Sequence, residues 1–220
     1  KGLIDDGELD GWDDPRAPTL QSIRRRGIRG EAVVESMIGL GMSTSDVDLA
    51  MSSIYANNRD LIDEEANRYF CVRNGERVAV AGDEKPAAGS PPLHPNHEDR
   101  GRRDIPVDDA VLIEPDDLPS DGERIWLKGY GCVRYEDGAF VATGDDIDAV
   151  REEGVDVIHW VPADDTVSVT MRTPEGDVAG EAEPAFADTA VDELIQFERI
   201  GFVRVDAHDA DRSVVYYAHD

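Results

Sequence analysis

The sequence predicts a mainly β protein with an N-terminal α-helical subdomain. Three observations carry this. Apolar residues recur at helical spacing up to about residue 67. From Arg68 onward the period switches to two. Short alternating runs then follow one another between Gly- and Asp-rich turns, the pattern of barrels or a sandwich.

In the helical part, a polar segment leads to Pro18 and Thr19, a helix start with Leu20 and Ile23 on one face and Gly27 as the stop. A second helix is expected from about residue 30 to 40, with Val33, Val34, Met37 and Ile38 at helical spacing and Gly41 ending it. A third is expected from near Ser45, a candidate N-cap. It carries Val47, Ala50, Met51, Ile54, Tyr55, Asn58, Leu61 and Ile62 as one buried stripe.

In the β part, runs 69–73 and 76–80 flank Asn74-Gly75, the strongest short hairpin signal. Further strands are expected at 110–113, 124–127, 131–135, 139–142, 155–161, 166–172, 193–198, 202–205 and 213–217. Residues 82–104, rich in Gly, Pro, Asp and Arg, read as a long loop, and no internal repeat is evident.

At 220 residues the chain is long enough to bury a core. Its 40% apolar content and three Trp exclude a disordered acidic tail. No window approaches 18 apolar residues, which excludes a membrane-spanning helix. With no charged-then-apolar leader either, a soluble cytoplasmic protein is expected. Cys71 and Cys132 fit neither a disulfide framework nor a four-ligand zinc site.

The net charge is −27, from 49 Asp+Glu against 22 Lys+Arg, and only Lys1, Lys85 and Lys128 are lysines. In dilute buffer such a chain repels itself. At molar salt the Debye length falls to about 3 Å and the repulsion is screened. Dense short carboxylates with few lysines therefore read as adaptation to a very salty cytoplasm. Taken alone, the charge argues against a nucleic-acid partner, but it is uneven. Residues 1–68 hold 8 basic and 14 acidic side chains, residues 69–220 hold 14 and 35. The less hostile part also carries the one dense basic group, Arg24, Arg25, Arg26 and Arg29.

No catalytic residue and no metal ligand emerges. No serine sits in a nucleophile-elbow pattern. His94 and His97, with Asp99 nearby, lie in a proline-bounded turn without a second ligand pair. His159, beside Trp160 in an apolar run, reads as a barrel-wall histidine, and there is no Gly-rich phosphate loop. Met42-Ser43-Thr44-Ser45 resembles the ATP-gripping Met-Ser-x-Ser signature of class I aminoacyl-tRNA synthetases. It lacks an adjacent basic residue, and Asp46 and Asp48 repel phosphate, so a serine N-cap explains it better.

A family resemblance covers most of the chain. Its blocks are Gly11-Trp12-Asp13-Asp14-Pro15-Arg16-Ala17-Pro18-Thr19-Leu20, then Arg24-Arg25-Arg26-Gly27-Ile28-Arg29. Tyr55-Ala56-Asn57-Asn58-Arg59, Asp63 through Ala66-Asn67-Arg68-Tyr69-Phe70 and His94-Pro95-Asn96-His97 continue it. Val157-Ile158-His159-Trp160-Val161 and Gln196-Phe197-Glu198-Arg199-Ile200-Gly201-Phe202 complete it. In this order they resemble the glutamyl- and glutaminyl-tRNA synthetase family.

The resemblance implies a helical stem-contact subdomain over residues 1–67 and an anticodon-binding region over 68–220. That region would hold a proximal barrel (about 68–110 plus 167–220) and an inserted distal barrel (about 111–166). It also implies a C-terminal part, with the catalytic domain lying before Lys1, and with it ATP and Mg; no cofactor is expected in this fragment. Carried onto matching positions, it makes Arg68, Gln196 and Arg199 anticodon contacts, although alternation puts 196 and 198 on one face, so that Arg199 points with Gln196 only where the strand bends. Glutamine offers both donor and acceptor to a base edge, and unstacked single-stranded bases are read this way. Trp12, Asp13, Asp14 and Arg16 would organise the linking turn, and Arg24, Arg25, Arg26 and Arg29 would meet tRNA phosphates or, equally, pair with local carboxylates. The expected partner is tRNA(Glu), and in archaeal members also tRNA(Gln), bound by a monomer, with no role for DNA or membrane.

Residues 118–124 lack the glutamine and arginine with which the glutaminyl branch reads the third anticodon base. With the salty-cytoplasm composition this favours an archaeal-type glutamyl enzyme. A glutaminyl-tRNA synthetase part and a free-standing RNA-binding barrel protein are the alternatives. One further expectation follows from the charge: the arginines nearest the RNA should be those that the acidic coat leaves unneutralised.

Overall fold

The computed structural model describes residues 2–41, 49–82, 85–144 and 154–220. A short helix α1 (Gly2–Asp5) opens it. Thr19 caps α2 (Leu20–Arg25) by accepting the Ser22 N–H at 3.0 Å, and Gly27 then turns the chain out at φ +91°. Next come α3 (Gly30–Gly39) and α4 (Met51–Ile62). The third helix thus begins at Met51, after an extended Ala50, and not near Ser45; Ser45 and the motif at 42–45 lie outside the described residues.

The α4 stripe buries Ile54, Asn58 and Ile62 as its spacing requires. α3 does the reverse of its apolar pattern. It buries Ala32 and Ser36, whereas Val34, Met37 and Ile38 are exposed. Small residues allow the close approach to α4, where the Ser36 hydroxyl donates to the Ala32 carbonyl and accepts from the Asn57 amide, both at 2.8 Å. Leu20 is exposed as well, and Ser22 is the buried residue of α2.

Among the described residues the strands, in chain order, begin with β1 (Asn67–Tyr69), β2 (Cys71–Val72), β3 (Glu76–Ala81), β4 (Ala88–Gly89) and β5 (Ile105–Pro106). Then follow β6 (Ala110–Ile113), β7 (Arg124–Leu127), β8 (Gly131–Glu136), β9 (Ala139–Gly144), β10 (Asp156–Ile158) and β11 (Val161–Pro162). The last are β12 (Val167–Thr173), β13 (Gly176–Ala182), β14 (Leu194–Phe197), β15 (Gly201–His208) and β16 (Ser213–His219).

They form two seven-stranded sheets, in the orders β1-β14-β15-β16-β12-β13-β2 and β10-β7-β8-β9-β3-β6-β11, beside a small β4-β5 pair. In each sheet the two end strands are consecutive in the chain, parted only by Phe70 in the first and by His159-Trp160 in the second. One continuous segment therefore joins both edges, and each sheet closes into a barrel with no long free edge. Phe186, Ile195, Phe197 and Val205 fill the first barrel, and Ile113, Leu127, Phe140 and Trp160 the second.

Three expectations change. Asn74-Gly75 turns the chain, with Asn74 at φ +52°, but no hairpin forms. β2 pairs with β13 in the first barrel, and β3 pairs with β6 and β9 in the second. The proximal barrel therefore uses 67–72 and 167–219, and 76–81 belongs to the distal one, where Val78 and Val80 enter its core. Strand β13 was not expected, because Gly176, Asp177, Gly180 and Glu181 are poor strand formers. Gly180 is there for space: a Cβ would lie 2.9 Å from the Cys71 sulfur.

The third change is an internal repeat. The two sheets have the same strand order and the same pattern of parallel and antiparallel pairs. Glu123, Ile125, Gly131, Val133 and Arg134 recur as Glu193, Ile195, Gly201, Val203 and Arg204. The local hydrogen bonds recur too. Lys128 N–H donates to Ile158 O and Glu198 N–H to Tyr69 O, both at 3.0 Å. So few identities, spread over turn and core positions, leave little trace in the sequence.

α2 and α4 pack on the outer wall of the first barrel. Ile62 and Ala66 meet Phe202 and Ala218. Arg26 donates to the carbonyls of Tyr217 and Ala218, and the Asn58 amide lies 3.0 Å from His219 Nε2.

Candidate nucleic-acid interface

Arg68 and Gln196 are register partners in the parallel pairing of β1 with β14. Adjacent partners point to the same side of a sheet. Because Ile195 and Phe197 face the core, Gln196 and Arg68 face outward. The row continues through Phe202 to His219, which α4 covers. Arg68 stands at the edge of that cover, 5.6 Å from the Phe202 ring. Its guanidinium donates to the Ala66 carbonyl at 2.9 Å and to Asp63 at 2.6 Å. Arg68 is buried, but Asp63 is 39% exposed, so the edge it holds lies just below the surface. The half-buried Gln196 side chain makes no hydrogen bond among the described residues.

Arg199 leaves the strand alternation altogether. β14 ends at Phe197, and Arg199 adopts φ +66°. The repeat places Gly129 at the equivalent position, at φ +77°. An L-residue in this region costs roughly 1–2 kcal/mol. The Arg199 fork grips Asp117 of the second barrel through two bonds, at 2.5 and 2.7 Å. Beside it lies a cavity of about 370 Å³, lined by Arg199, by the apolar Leu118, Pro119, Ile125, Val157 and Ile158, and by the carboxylates Asp116, Asp117, Glu123 and Asp156. A neighbouring cleft holds the Arg73–Glu114 fork.

The remaining arginines separate into three groups. Arg24 and Arg25 line a cavity of about 530 Å³ with Asp13, Gln21, Asp192 and Arg204. Arg25 pairs with Asp13 and Asp206 there. Arg29 reaches Glu65 at 2.5 Å. Arg26, expected at phosphates, is instead buried: its donors are spent on two barrel carbonyls and the Tyr55 hydroxyl, so it fastens α2 to the barrel. Asp14 organises the linking turn. It accepts Nε and Nη2 of Arg16 and the Asp10 and Arg16 N–H groups. The Arg16 guanidinium holds its carboxyl well below the usual carboxylate range, against the opposing effect of burial. Trp12 is exposed, and its carbonyl accepts the Thr19 hydroxyl.

Of Arg16, Arg24, Arg25, Arg26, Arg29, Arg68 and Arg199, Arg24 alone has no partner among the described residues. The carboxylates hold the guanidinium planes in fixed directions.

Three site-forming residues were missed. Asp117 is one more aspartate in an acidic run, and Arg204 an isolated arginine. Glu198 is assigned by strict alternation to the face of Gln196, but the strand stops one residue earlier and its side chain turns into the seam between barrels. There it meets Lys128, His159 at 3.5 Å and Arg103 at 3.7 Å.

Comparison with known proteins gives this geometry a family. Two family descriptions, both "tRNA synthetases class I (E and Q), anti-codon binding domain", match residues 66–151 and 157–206. Together they take in more than half of the chain and parts of both barrels. The chain belongs to this anticodon-binding family. It is similar to the glutamate–tRNA ligase of Natronomonas pharaonis, 63% identical over 219 residues, which is all of this chain and 38% of that protein. The corresponding ligase of Halobacterium salinarum is 57% identical over 232 residues, covering all of this chain and 40% of the relative. That of Methanosarcina barkeri is 40% identical over 221 residues, covering 98% of this chain and 38% of the relative. The chain thus spans about two fifths of the length of the curated relatives it matches.

Proposed function

We propose that this chain is the tRNA-recognition part of a glutamate–tRNA ligase, and that Arg68, Gln196 and Arg199 read the anticodon. The observation that carries the reading is the side-by-side placement of Arg68 and Gln196 on one outward row. An amide with unspent donors and acceptor, next to an oriented guanidinium, suits the edge of a splayed base. An incoming base takes Gln196 directly and replaces Asp63 on Arg68. Arg199 serves the neighbouring cavity. Arg24, Arg25 and Arg29, with Trp12, Asp13, Asp14 and Arg16 shaping the turn, meet the RNA backbone on the helical side.

The acidic coat is compatible with this. At molar salt long-range attraction to phosphate is screened, so recognition rests on short, directional contacts from held arginines. In the full-length enzyme we assign ATP and Mg to a catalytic part outside these 220 residues. We read the substrate as tRNA(Glu), with tRNA(Gln) a second substrate for the same glutamate transfer, in the cytoplasm. We read the chain as a monomer, since its two barrels form their seam within one chain, and as having no function on DNA.

The test is binding of tRNA(Glu) transcripts to the chain in molar KCl, with the central anticodon base intact or replaced. Preference for the intact anticodon supports the reading, and equal binding contradicts it. Charging assays of the full-length enzyme with both amino acids and both tRNAs settle the amino acid, and charging by glutamine would overturn the glutamyl assignment.

A further inference from the structure

The seam between the barrels is built from repeat-equivalent residues facing one another. Lys128 and Glu198 occupy the same place in the two barrels, in the turns after β7 and β14, and they form an ion pair with each other. Phe70 and His159 likewise occupy the same place, after β1 and β10, and their rings stack at 4.7 Å with planes 29° apart. The barrels therefore meet about a pseudo-twofold axis, as two copies would in a symmetric dimer. In a true dimer each residue would face its own kind, and two glutamates or two lysines there would repel. Within one chain the two positions have diverged to opposite charges.

Glu198 is the centre of this cluster. Its carboxylate, 15% exposed, meets Lys128, His159 and Arg103. Arg103 in turn pairs with the fully buried Glu183 at 2.5 Å, and Glu183 accepts the Phe70 N–H at 2.8 Å. Arg103 lies over the Phe70 ring, 4.8 Å from its centroid. The arrangement is costly: Arg103 Nη2 and His159 Nδ1 are buried without hydrogen bonds. A buried ion cluster adds little net stability over apolar packing, because desolvation offsets its Coulombic gain.

Glu198 also stands between Gln196 and Arg199, and Arg199 must reach across the seam to Asp117. A small rotation of one barrel on the other breaks that fork and reshapes the cavity beside it. We infer that Glu198, through Lys128, His159 and Arg103, sets the angle between the two barrels and is thereby a positioning residue for anticodon discrimination. It touches no base itself. The inference rests on the proposed anticodon reading.

The test measures binding of the chain, in molar KCl, to tRNA(Glu) and to the same tRNA with its central anticodon base replaced. The variants are Glu198→Gln, Lys128→Gln, and the charge exchange Lys128→Glu with Glu198→Lys. A purely structural role would move thermal stability and both RNAs together, whereas positioning moves their ratio. Glu198→Gln and Lys128→Gln are expected to lower the discrimination ratio by about tenfold. They leave affinity for the altered tRNA within about twofold, and the exchange, which turns a cation toward Arg103 and His159, fails to restore the ratio. Because Lys128→Gln alters only a partly exposed lysine, it remains informative should a Glu198 variant fail to fold. Unchanged discrimination in folded Glu198→Gln and Lys128→Gln overturns the inference. A wild-type chain that binds both tRNAs alike overturns the anticodon reading beneath it instead.

Discussion

Arg68 and Gln196 stand side by side across the parallel pair β1·β14, on the outer wall of the first barrel and at the margin of the surface covered by α4. One is buried and held by Asp63 and a backbone carbonyl, the other is half-buried with its amide unspent. This pairing of a fixed cation with an uncommitted amide supports the proposed reading of an RNA base, and it separates the effects of replacing each.

Gln196→Ala is expected to leave the fold intact, since no hydrogen bond within the described residues is lost. It should weaken binding of the intact anticodon by about tenfold, the worth of one good base-edge contact. Arg68→Ala should lose both binding and stability, because it strands the Ala66 carbonyl and empties a buried site. Fluorescence anisotropy with labelled tRNA, beside thermal melts, separates the two.

Arg199→Gly removes left-handed strain of roughly 1–2 kcal/mol and an exposed fork worth at most about 1 kcal/mol. The melting temperature should hold or rise while anticodon discrimination falls. Arg199→Ala loses the fork but keeps most of the strain, so it should melt below Arg199→Gly. The reverse order by calorimetry would contradict the strain argument.

Asn58 is fully buried, accepts the Arg29 N–H at 2.9 Å and meets His219. Asn58→Ala leaves both partners unsatisfied and should destabilise the chain by about 2–3 kcal/mol. Denaturant unfolding measures this, and a loss below about 1 kcal/mol would mean that the helices dock by apolar contact alone.

Burial works against the Glu198 charge, but the His159 hydrogen bond and the Lys128 ammonium outweigh it and bring its pKa down to about 2, from 4.5. A depressed carboxyl adds stability above its unfolded value, and that stability is lost as pH falls through the folded one. The gap in stability between wild type and Glu198→Gln should therefore narrow as pH falls from 4.5 toward about 2. Acid titration of the two proteins followed by circular dichroism checks this; a gap that widens on acidification would contradict it.

Much of the fold was legible because its signals are local. Thr19 caps α2 through its own hydroxyl, and the alternation of Val167, Val169 and Met171 marks β12. What escaped depends on distant partners. Asn74-Gly75 encodes a turn but not which barrel the next strand joins, and Gly180 belongs to a strand only because Cys71 packs against it. The repeat escaped because topology is preserved by a few turn and core residues. At the site, Gln-Phe-Glu-Arg pointed to the turn after β14 by resemblance. The left-handed Arg199, its Asp117 partner and the inward turn of Glu198 are properties of the closed seam, so no residue pattern announces them.

The central claim is that a chain with net charge −27 recognises RNA by short contacts from held side chains. The most direct measurement is the affinity of the 220-residue chain for tRNA(Glu) and for its central-anticodon-base variant, from about 0.5 to 3 M KCl, across which screening is already nearly complete. The account predicts preference for the intact anticodon by about tenfold or more, retained across the range. Equal affinity for the two tRNAs, or a preference that vanishes as salt rises, would contradict it.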